Sequence, residues 1–172
     1  DRILKEGDII SLDTACTYQG YVGDCAYTWP VGEVSKSVAR LLEVCEATLH
    51  AAIAASVVPN DVRAVAQATQ KHAQDHGYSV AREYTGHGVG RNMWEDPQIP
   101  NWWPRKRSKR IEEANANLRP GMTYAIEPMV IAGKPDLKEL QDKWTVVTKD
   151  GSLCVHFEHT IAQAIDPHLL GR

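Results

Sequence analysis

Residues 11–24 read Ser-Leu-Asp-Thr-Ala-Cys-Thr-Tyr-Gln-Gly-Tyr-Val-Gly-Asp and carry two aspartates, Asp13 and Asp24. Both aspartates lie in segments rich in β-branched and aromatic residues, which favour strands. The connection between them contains Gly20 and predicts a hairpin that folds back at this glycine. Such a hairpin can bring the two carboxylates together on one face of a sheet. Because close carboxylates repel each other, a buried pair needs a shared proton or a cation.

Length and composition are those of one globular domain. The chain has 172 residues, of which 43% are hydrophobic and 24% are charged, which is enough for a sizeable core. A net charge of −3 gives no general attraction to DNA or to a membrane surface. No apolar run is long enough to cross a bilayer. We therefore predict a single domain over residues 1–172, a cytoplasmic location, and neither DNA nor membrane as a partner.

The four cysteines are scattered without the spacing of a zinc ribbon or a thioredoxin motif. Free thiols in a reducing cytoplasm are the plain expectation. A disulfide between Cys16 and Cys25 across the hairpin is the alternative.

Apolar periodicity predicts two helices. Apolar residues recur at three- and four-residue steps over residues 35–56, and Ser35 is a suitable N-cap. Asp61 is expected to cap a second helix that ends before Gly77. Its buried face should consist of Val62, Val65, Ala66, Thr69 and Ala73.

The remaining segments are predicted to be strands and loops. We expect a loop over residues 95–120 and one strand over residues 122–131. Asp150-Gly151 predicts a hairpin between residues 145–147 and residues 153–161. Together these elements predict an α+β fold with antiparallel strands and two helices on one face.

Polar residues inside the predicted strands are the main functional signal. A lone Glu in a strand usually lies on the solvated face, and a lone His between glycines usually lies in a turn. A set of four carboxylates and one imidazole is harder to explain in this way, and it suits two divalent ions such as Mn, Fe(II), Co or Zn. The flanking glycines are expected to let a ligand or substrate backbone approach closely. The set is Asp13, Asp24, His87, Glu127 and Glu158.

Four motifs resemble those of type I methionine aminopeptidases, one branch of the pita-bread metallopeptidases. The likeness runs from end to end of the chain. Relatives that cleave beside proline usually carry Glu-Pro-Gly and Glu-Asp-Thr at the last two motifs, so Met129 and His159 favour the methionine branch. The motifs are Ser11-Leu-Asp13 with Gly23-Asp24, Tyr84-Thr-Gly-His87-Gly-Val-Gly-Arg91, Pro120-Gly-Met-Thr-Tyr-Ala-Ile-Glu127-Pro-Met129 and Phe157-Glu158-His159-Thr160.

The resemblance implies a pita-bread fold, in which a curved antiparallel sheet carries helices on its outer face. It also implies a centre of two divalent ions. Asp13 would bind one ion, and Asp24 and Glu158 would bridge both. His87 and Glu127 would hold the other ion and act in catalysis, with Glu127 as the proton shuttle for the attacking water.

Three further residues fall at substrate-binding positions of the family. Trp144 would form an aromatic wall of the methionine pocket, and Met93 would form a soft, adaptable wall. Trp94 stands where the family carries a histidine that hydrogen-bonds the scissile carbonyl or the tetrahedral intermediate. An indole donates one hydrogen bond but cannot exchange a proton, so Trp94 departs from the expected pattern.

Family members also carry a further N-terminal portion that forms half of a pseudo-symmetric fold. The resemblance therefore implies that the chain is truncated at its N-terminus, and that the missing segment or another chain completes the sheet. Without this portion, one edge of the sheet would stay open.

A basic stretch follows two tryptophans, in Trp102-Trp103-Pro104-Arg105-Lys106-Arg107 with Lys109 and Arg110. Aromatic and basic side chains together suit RNA contact, so ribosome association is one interpretation. A solvated loop with locally packed tryptophans is the other.

The polar residue set alone predicts a two-metal hydrolase, and the resemblance implies an aminopeptidase that removes N-terminal methionine from peptides or nascent proteins by metal-activated water. One alternative is a catalytically impaired pita-bread module that binds peptides or proteins, because Trp94 replaces the family histidine. Another alternative is an Xaa-Pro peptidase.

Overall fold

A computed structural model describes residues 3–104 and 115–163, and these residues form an antiparallel sheet covered on one face by two helices. The sheet has six strands: β1 Ile9–Tyr18, β2 Tyr21–Pro30, β4 Thr85–Gly88, β5 Glu95–Pro100, β6 Thr123–Ile126 and β11 Glu158–Ala162. Their spatial order is β1-β2-β11-β6-β4-β5. The predicted α+β class is confirmed.

The predicted hairpin is present as β1 and β2. Its two strands pair from Ile9 opposite Pro30 to Tyr18 opposite Tyr21. The turn uses Gln19 and Gly20, both with positive φ (51° and 80°), as a two-residue hairpin turn that follows the twist of the strands requires. Among the described residues β1 pairs with β2 alone, so its other edge carries no strand.

Both helices begin where the sequence predicts. Helix α1 spans Lys36–Ala55, and the Ser35 hydroxyl accepts the Val38 N–H at its start. Helix α2 spans Val62–Asp75, and the Asp61 carboxylate accepts the Ala64 N–H. The buried face of α2 matches the prediction residue for residue. The two helices pack on each other and on the sheet through a shared apolar core.

Two small sheets complete the described chain. One small sheet consists of β10 (Cys154–His156), β7 (Met129–Ile131) and β3 (Ser79–Val80). The other consists of β8 (Leu137–Glu139) and β9 (Val146–Thr148). The predicted loop over residues 95–120 begins instead as strand β5 of the large sheet. The predicted strand over residues 122–131 is two strands in different sheets, broken at Glu127-Pro128.

The hairpin predicted at Asp150-Gly151 is wrong. Gly151 does turn, with φ of 74°, but β9 pairs with β8 and β10 pairs with β7. The turn signal was therefore correct, while the choice of partner strands was not.

Two further observations concern membrane-spanning helices and the cysteines. No described helix combines the length and the apolarity needed to cross a membrane. All four cysteines are free, so the Cys16–Cys25 disulfide is not present.

Candidate metal centre

Strand register puts three carboxylates on one face of the large sheet. Ala26 of β2 lies opposite Asp13 of β1 and also opposite Glu158 of β11. Asp24 precedes Ala26 by two residues, so its side chain points to the same face. On the opposite face, the ring of His159 lies 6.4 Å from that of His50 in α1. The helices thus cover one face, and the carboxylates converge on the other.

His87 and Glu127 reach the same place from β4 and from the end of β6. The Nδ1–H of His87 donates to the Gly88 carbonyl at 2.9 Å, because a carbonyl can only accept. In this tautomer Nε2 carries no proton, and its lone pair is free to bind a metal, as a metal-ligating histidine requires. The backbone carbonyl of Glu127 accepts a hydrogen bond from the Asn101 amide at 3.1 Å, which fixes the strand break that aims this carboxylate.

Side-chain spacing in the cluster suits a divalent cation. Ligand atoms of Asp24, His87 and Glu158 all lie within 4.8 Å of one another. His87 Nε2 is 3.7 Å from Asp24 Oδ2 and 3.6 Å from Glu127 Oε1. These distances are too long for hydrogen bonds, yet they match neighbouring ligands that each lie about 2.0–2.2 Å from one ion.

Electrostatics of the cluster also call for a cation. Burial, followed by repulsion from the other carboxylates, raises the pKa of Glu158 to about 9 and that of Glu127 to about 8. The pKa of Asp24 is raised mainly by burial and then by Asp13, while His87 opposes the shift. Asp24 Oδ1 is buried without a hydrogen-bond partner among the described residues. A cation would favour the ionised form of these groups and supply that partner, so the residues fit the divalent metal that the resemblance implies.

Metal binding should therefore depend on pH. In metal-free protein, the folded-state pKa values of Glu127 and Glu158 exceed their ordinary values, so their contribution to stability is present below about pH 4.5 and is lost as the pH rises through about 8 to 9. Affinity for Mn(II) should rise about tenfold per pH unit for each proton displaced. Thermal unfolding at about pH 6 and about pH 8, with and without Mn(II), checks this: the metal-induced rise in Tm should be larger at the higher pH. A pH-independent rise would contradict it.

The glycines that flank His87 serve a purpose different from the expected one. A Cβ at Gly86 would collide with the carbonyl oxygen of Ala125, and one at Gly88 with the carbonyl oxygen of Asp96. Neighbouring strands of the protein itself therefore need this space, and a close approach by a ligand backbone does not explain these glycines. They allow β4 to sit between β5 and β6 with His87 facing the carboxylates.

A cleft of about 650 Å³ opens above the cluster. All five predicted ligands line it, together with Met93 and Trp94. Asp13 is the most exposed of the five, with 57% of its side chain accessible, because it stands on an edge strand. Trp94 is 74% exposed, and its ring centroid lies 6.4 Å from that of His87.

Trp144 lies elsewhere. It is 88% exposed and lines a second cavity of about 740 Å³ beside β8 and β9, which shares Tyr84 with the cleft. Its role as a wall of the methionine pocket stays a prediction.

His156 was not singled out from the sequence. Its Nε2 lies 3.7 Å from Glu127 Oε2, and its Nδ1 lies 3.9 Å from Asp13 Oδ2. Its place two residues before Glu158 was the available signal, since alternate residues of an extended chain share a face.

Trp102 and Trp103 pack against the core cluster. The Trp102 indole N–H donates to the Arg82 carbonyl at 3.1 Å, and the Arg82 guanidinium lies 5.2 Å from the ring centroid. This favours local packing over RNA stacking for the tryptophans. The basic residues Arg105–Arg110 lie outside the described part of the chain.

Comparison with known proteins gives a consistent set of relatives. The model of metallopeptidase family M24 matches residues 1–163. Methionine aminopeptidase 1 of Bacillus subtilis is 47% identical over 94% of this chain and 62% of its own length. The methionine aminopeptidase of Escherichia coli K12 is 39% identical over 93% of this chain and 58% of its own length. The chain therefore spans about three fifths of the length of these relatives.

Solved structures agree. The methionine aminopeptidase of Thermotoga maritima superposes with a TM-score of 0.86 at 42% identity, over 95% of this chain and 63% of that one. A prolidase from Pyrococcus furiosus has a TM-score of 0.72 at 19% identity, over 95% and 41%, and shares the fold alone. The predicted pita-bread fold is thereby confirmed.

Proposed function

The chain belongs to metallopeptidase family M24, and from this premise we propose that residues 1–172 form the catalytic domain of a metalloaminopeptidase that removes N-terminal methionine. The observation that carries the proposal is the convergence of four carboxylates and one imidazole in one cleft. Identity of 39–47% to methionine aminopeptidases supports methionine as the residue removed.

The proposed centre holds two divalent ions. Asp13 would bind one ion, and His87 and Glu127 would hold the other. Asp24 and Glu158, which lie deepest, would bridge both. When bound, such ions acidify a water molecule and polarise the substrate carbonyl. The oxygen-rich ligand set favours Mn, Fe(II), Co or Zn.

Glu127 is the proposed proton carrier. It is almost fully buried at the base of the cleft, yet both of its oxygens face other site residues. A carboxylate in this place can take a proton from the attacking water and deliver it to the leaving amine. His87 Nε2 lies 3.6 Å from Glu127 Oε1, so these two atoms could bind the same ion as neighbouring ligands.

The proposed substrate is the N-terminus of a peptide or nascent protein in the cytoplasm. The cleft has the volume of a small-molecule site and opens past Met93 and Trp94. Met93 is a soft wall for an apolar side chain. Contact with the ribosome, and completion of the sheet at β1 by a further segment or chain, remain expectations.

Peptide hydrolysis tests the proposal. The full-length protein with added Co(II) or Mn(II) should release methionine from Met-Gly or Met-Ala peptides, and Xaa-Pro peptides serve as the comparison. Tight metal binding without turnover of any peptide would overturn the enzyme assignment. Preferential cleavage of Xaa-Pro peptides would overturn the methionine specificity.

A catalytically impaired peptide-binding module is the second candidate. The exposed Trp94 at the rim of the cleft favours it, because the family pattern puts a proton-exchanging histidine there. A binding module, however, has no chemical need for five metal ligands.

Trp94→His decides between these candidates. We expect the new imidazole to raise kcat/KM for Met-Ala peptides by up to about 10²-fold, since one such donor is typically worth on the order of 10²–10³ in rate. Trp29→His, at a half-exposed tryptophan of β2, is the matched control and should change little. Turnover that stays absent in Trp94→His would favour the binding module.

A further inference from the structure

His156 occupies a buried position beside the proposed metal centre. The residue is 9% exposed, and Nε2 has no hydrogen-bond partner among the described residues. Both ring nitrogens face carboxylates, with Nε2 3.7 Å from Glu127 Oε2 and Nδ1 3.9 Å from Asp13 Oδ2. A buried imidazole that faces two carboxylates is not accounted for by core packing.

The backbone of His156 is held rigidly. The buried Thr28 hydroxyl accepts the His156 N–H at 2.9 Å and donates to the His156 carbonyl at 2.7 Å. Because the Thr28 proton is already donated, the Ser11 hydroxyl donates to Thr28 Oγ1 at 2.7 Å. The two strands of the hairpin therefore fix the point from which the imidazole reaches the cleft.

The two oxygens of Glu127 face two different imidazoles. Oε1 lies 3.6 Å from His87 Nε2, and Oε2 lies 3.7 Å from His156 Nε2. His87 Nε2 also lies 3.7 Å from Asp24 Oδ2, and His87 forms with Asp24 and Glu158 a group of ligand atoms within 4.8 Å of one another. Oε1, the inner oxygen of Glu127, therefore faces this group, while Oε2, the outer oxygen, faces His156.

We propose that His156 is a positioning residue, whose Nε2–H holds the outer oxygen of Glu127 so that the inner oxygen points at the ion. Carboxylates that ligate metals are commonly held by such outer hydrogen bonds. The separation of 3.7 Å between Nε2 and Oε2 is longer than a formed hydrogen bond, and hydrogen bonds in unliganded active sites are often long and tighten on binding. The inference rests on the proposed metal centre and adds to it a residue that touches neither ion.

The test uses three variants of the full chain and measures metal binding without peptide. His156→Leu removes the donor, and His156→Asn keeps an amide that is too short to reach Glu127. His156→Gln restores an N–H at a similar reach. His76→Leu, at an exposed histidine at the end of α2, is the control. Co(II) titration followed by visible absorption reports both affinity and ligand geometry, and thermal unfolding of metal-free samples checks the fold.

We expect His156→Leu and His156→Asn to lower the affinity for the more weakly held Co(II) ion by about 10–100-fold. His156→Gln and His76→Leu should stay close to the wild type, with an unchanged Co(II) spectrum. Wild-type affinity in all three His156 variants would overturn the inference. An equal loss in His156→Gln, with an altered spectrum, would also overturn it, because the imidazole would then be a direct ligand. Failure of the proposed centre itself would look different, since the wild type would bind no Co(II).

Discussion

Glu127→Gln should lower kcat for methionine release by about 10²–10⁴, the usual contribution of a positioned acid–base group. Glutamine keeps the shape of the side chain and one oxygen ligand, but it cannot accept and return a proton. The fold should persist, because Asn101 holds the backbone carbonyl of residue 127 and not its side chain. Steady-state kinetics on a Met-Ala peptide at saturating Mn(II) measure the effect.

Glu43→Gln provides the matched control for this prediction. Glu43 is exposed on α1, where it pairs with Arg40, and the same substitution there should leave kcat unchanged. Turnover by Glu127→Gln that equals the wild type would remove Glu127 from the proton path.

Asp24→Asn should lower metal affinity and turnover together. An amide in a bridging position offers only one neutral oxygen, whereas the carboxylate would bind both ions. Mutating a residue that merely hydrogen-bonds a metal ligand lowers metal affinity by up to about 100-fold. We therefore expect a loss of metal affinity of at least that size. The local structure should survive, because Thr160 bonds to the Asp24 backbone N–H and carbonyl at 2.9 and 2.8 Å. Loss of a buried, repelled carboxylate should even favour the metal-free fold.

Calorimetric titration with Mn(II) measures the loss of metal affinity, and thermal unfolding of the metal-free protein measures the stability of the fold. Asp75→Asn is the control, since Asp75 is an exposed partner of Lys71 at the end of α2. Unchanged Mn(II) affinity in Asp24→Asn would refute the bridging role.

Local chemistry explains what the sequence could predict. The hairpin turn at Gln19-Gly20 and the caps at Ser35 and Asp61 are decided by residues adjacent in the chain, and all three are present in the structure. Polar residues within apolar strands likewise indicated the cluster, because each of them conflicts with its own local pattern.

Pairing between distant strands could not be predicted in the same way. Pro97 and Pro100 suggested a loop. Proline is nevertheless tolerated on edge strands, and β5 lies at the edge of the sheet. The partner of β9 is likewise chosen by tertiary packing. His156 was missed because its proposed role depends on Glu127, which lies far away in the sequence, at the break between β6 and β7. Its place two residues before Glu158 was the one local signal.

The number of divalent ions bound per chain is the most direct test of the metal centre. Full-length protein dialysed against Mn(II) or Co(II), freed of excess metal and analysed by elemental mass spectrometry, should carry two ions per chain, and Asp24→Asn should carry fewer. A folded wild-type protein that retains no more metal than Asp24→Asn would contradict the proposed centre and the chemistry that depends on it.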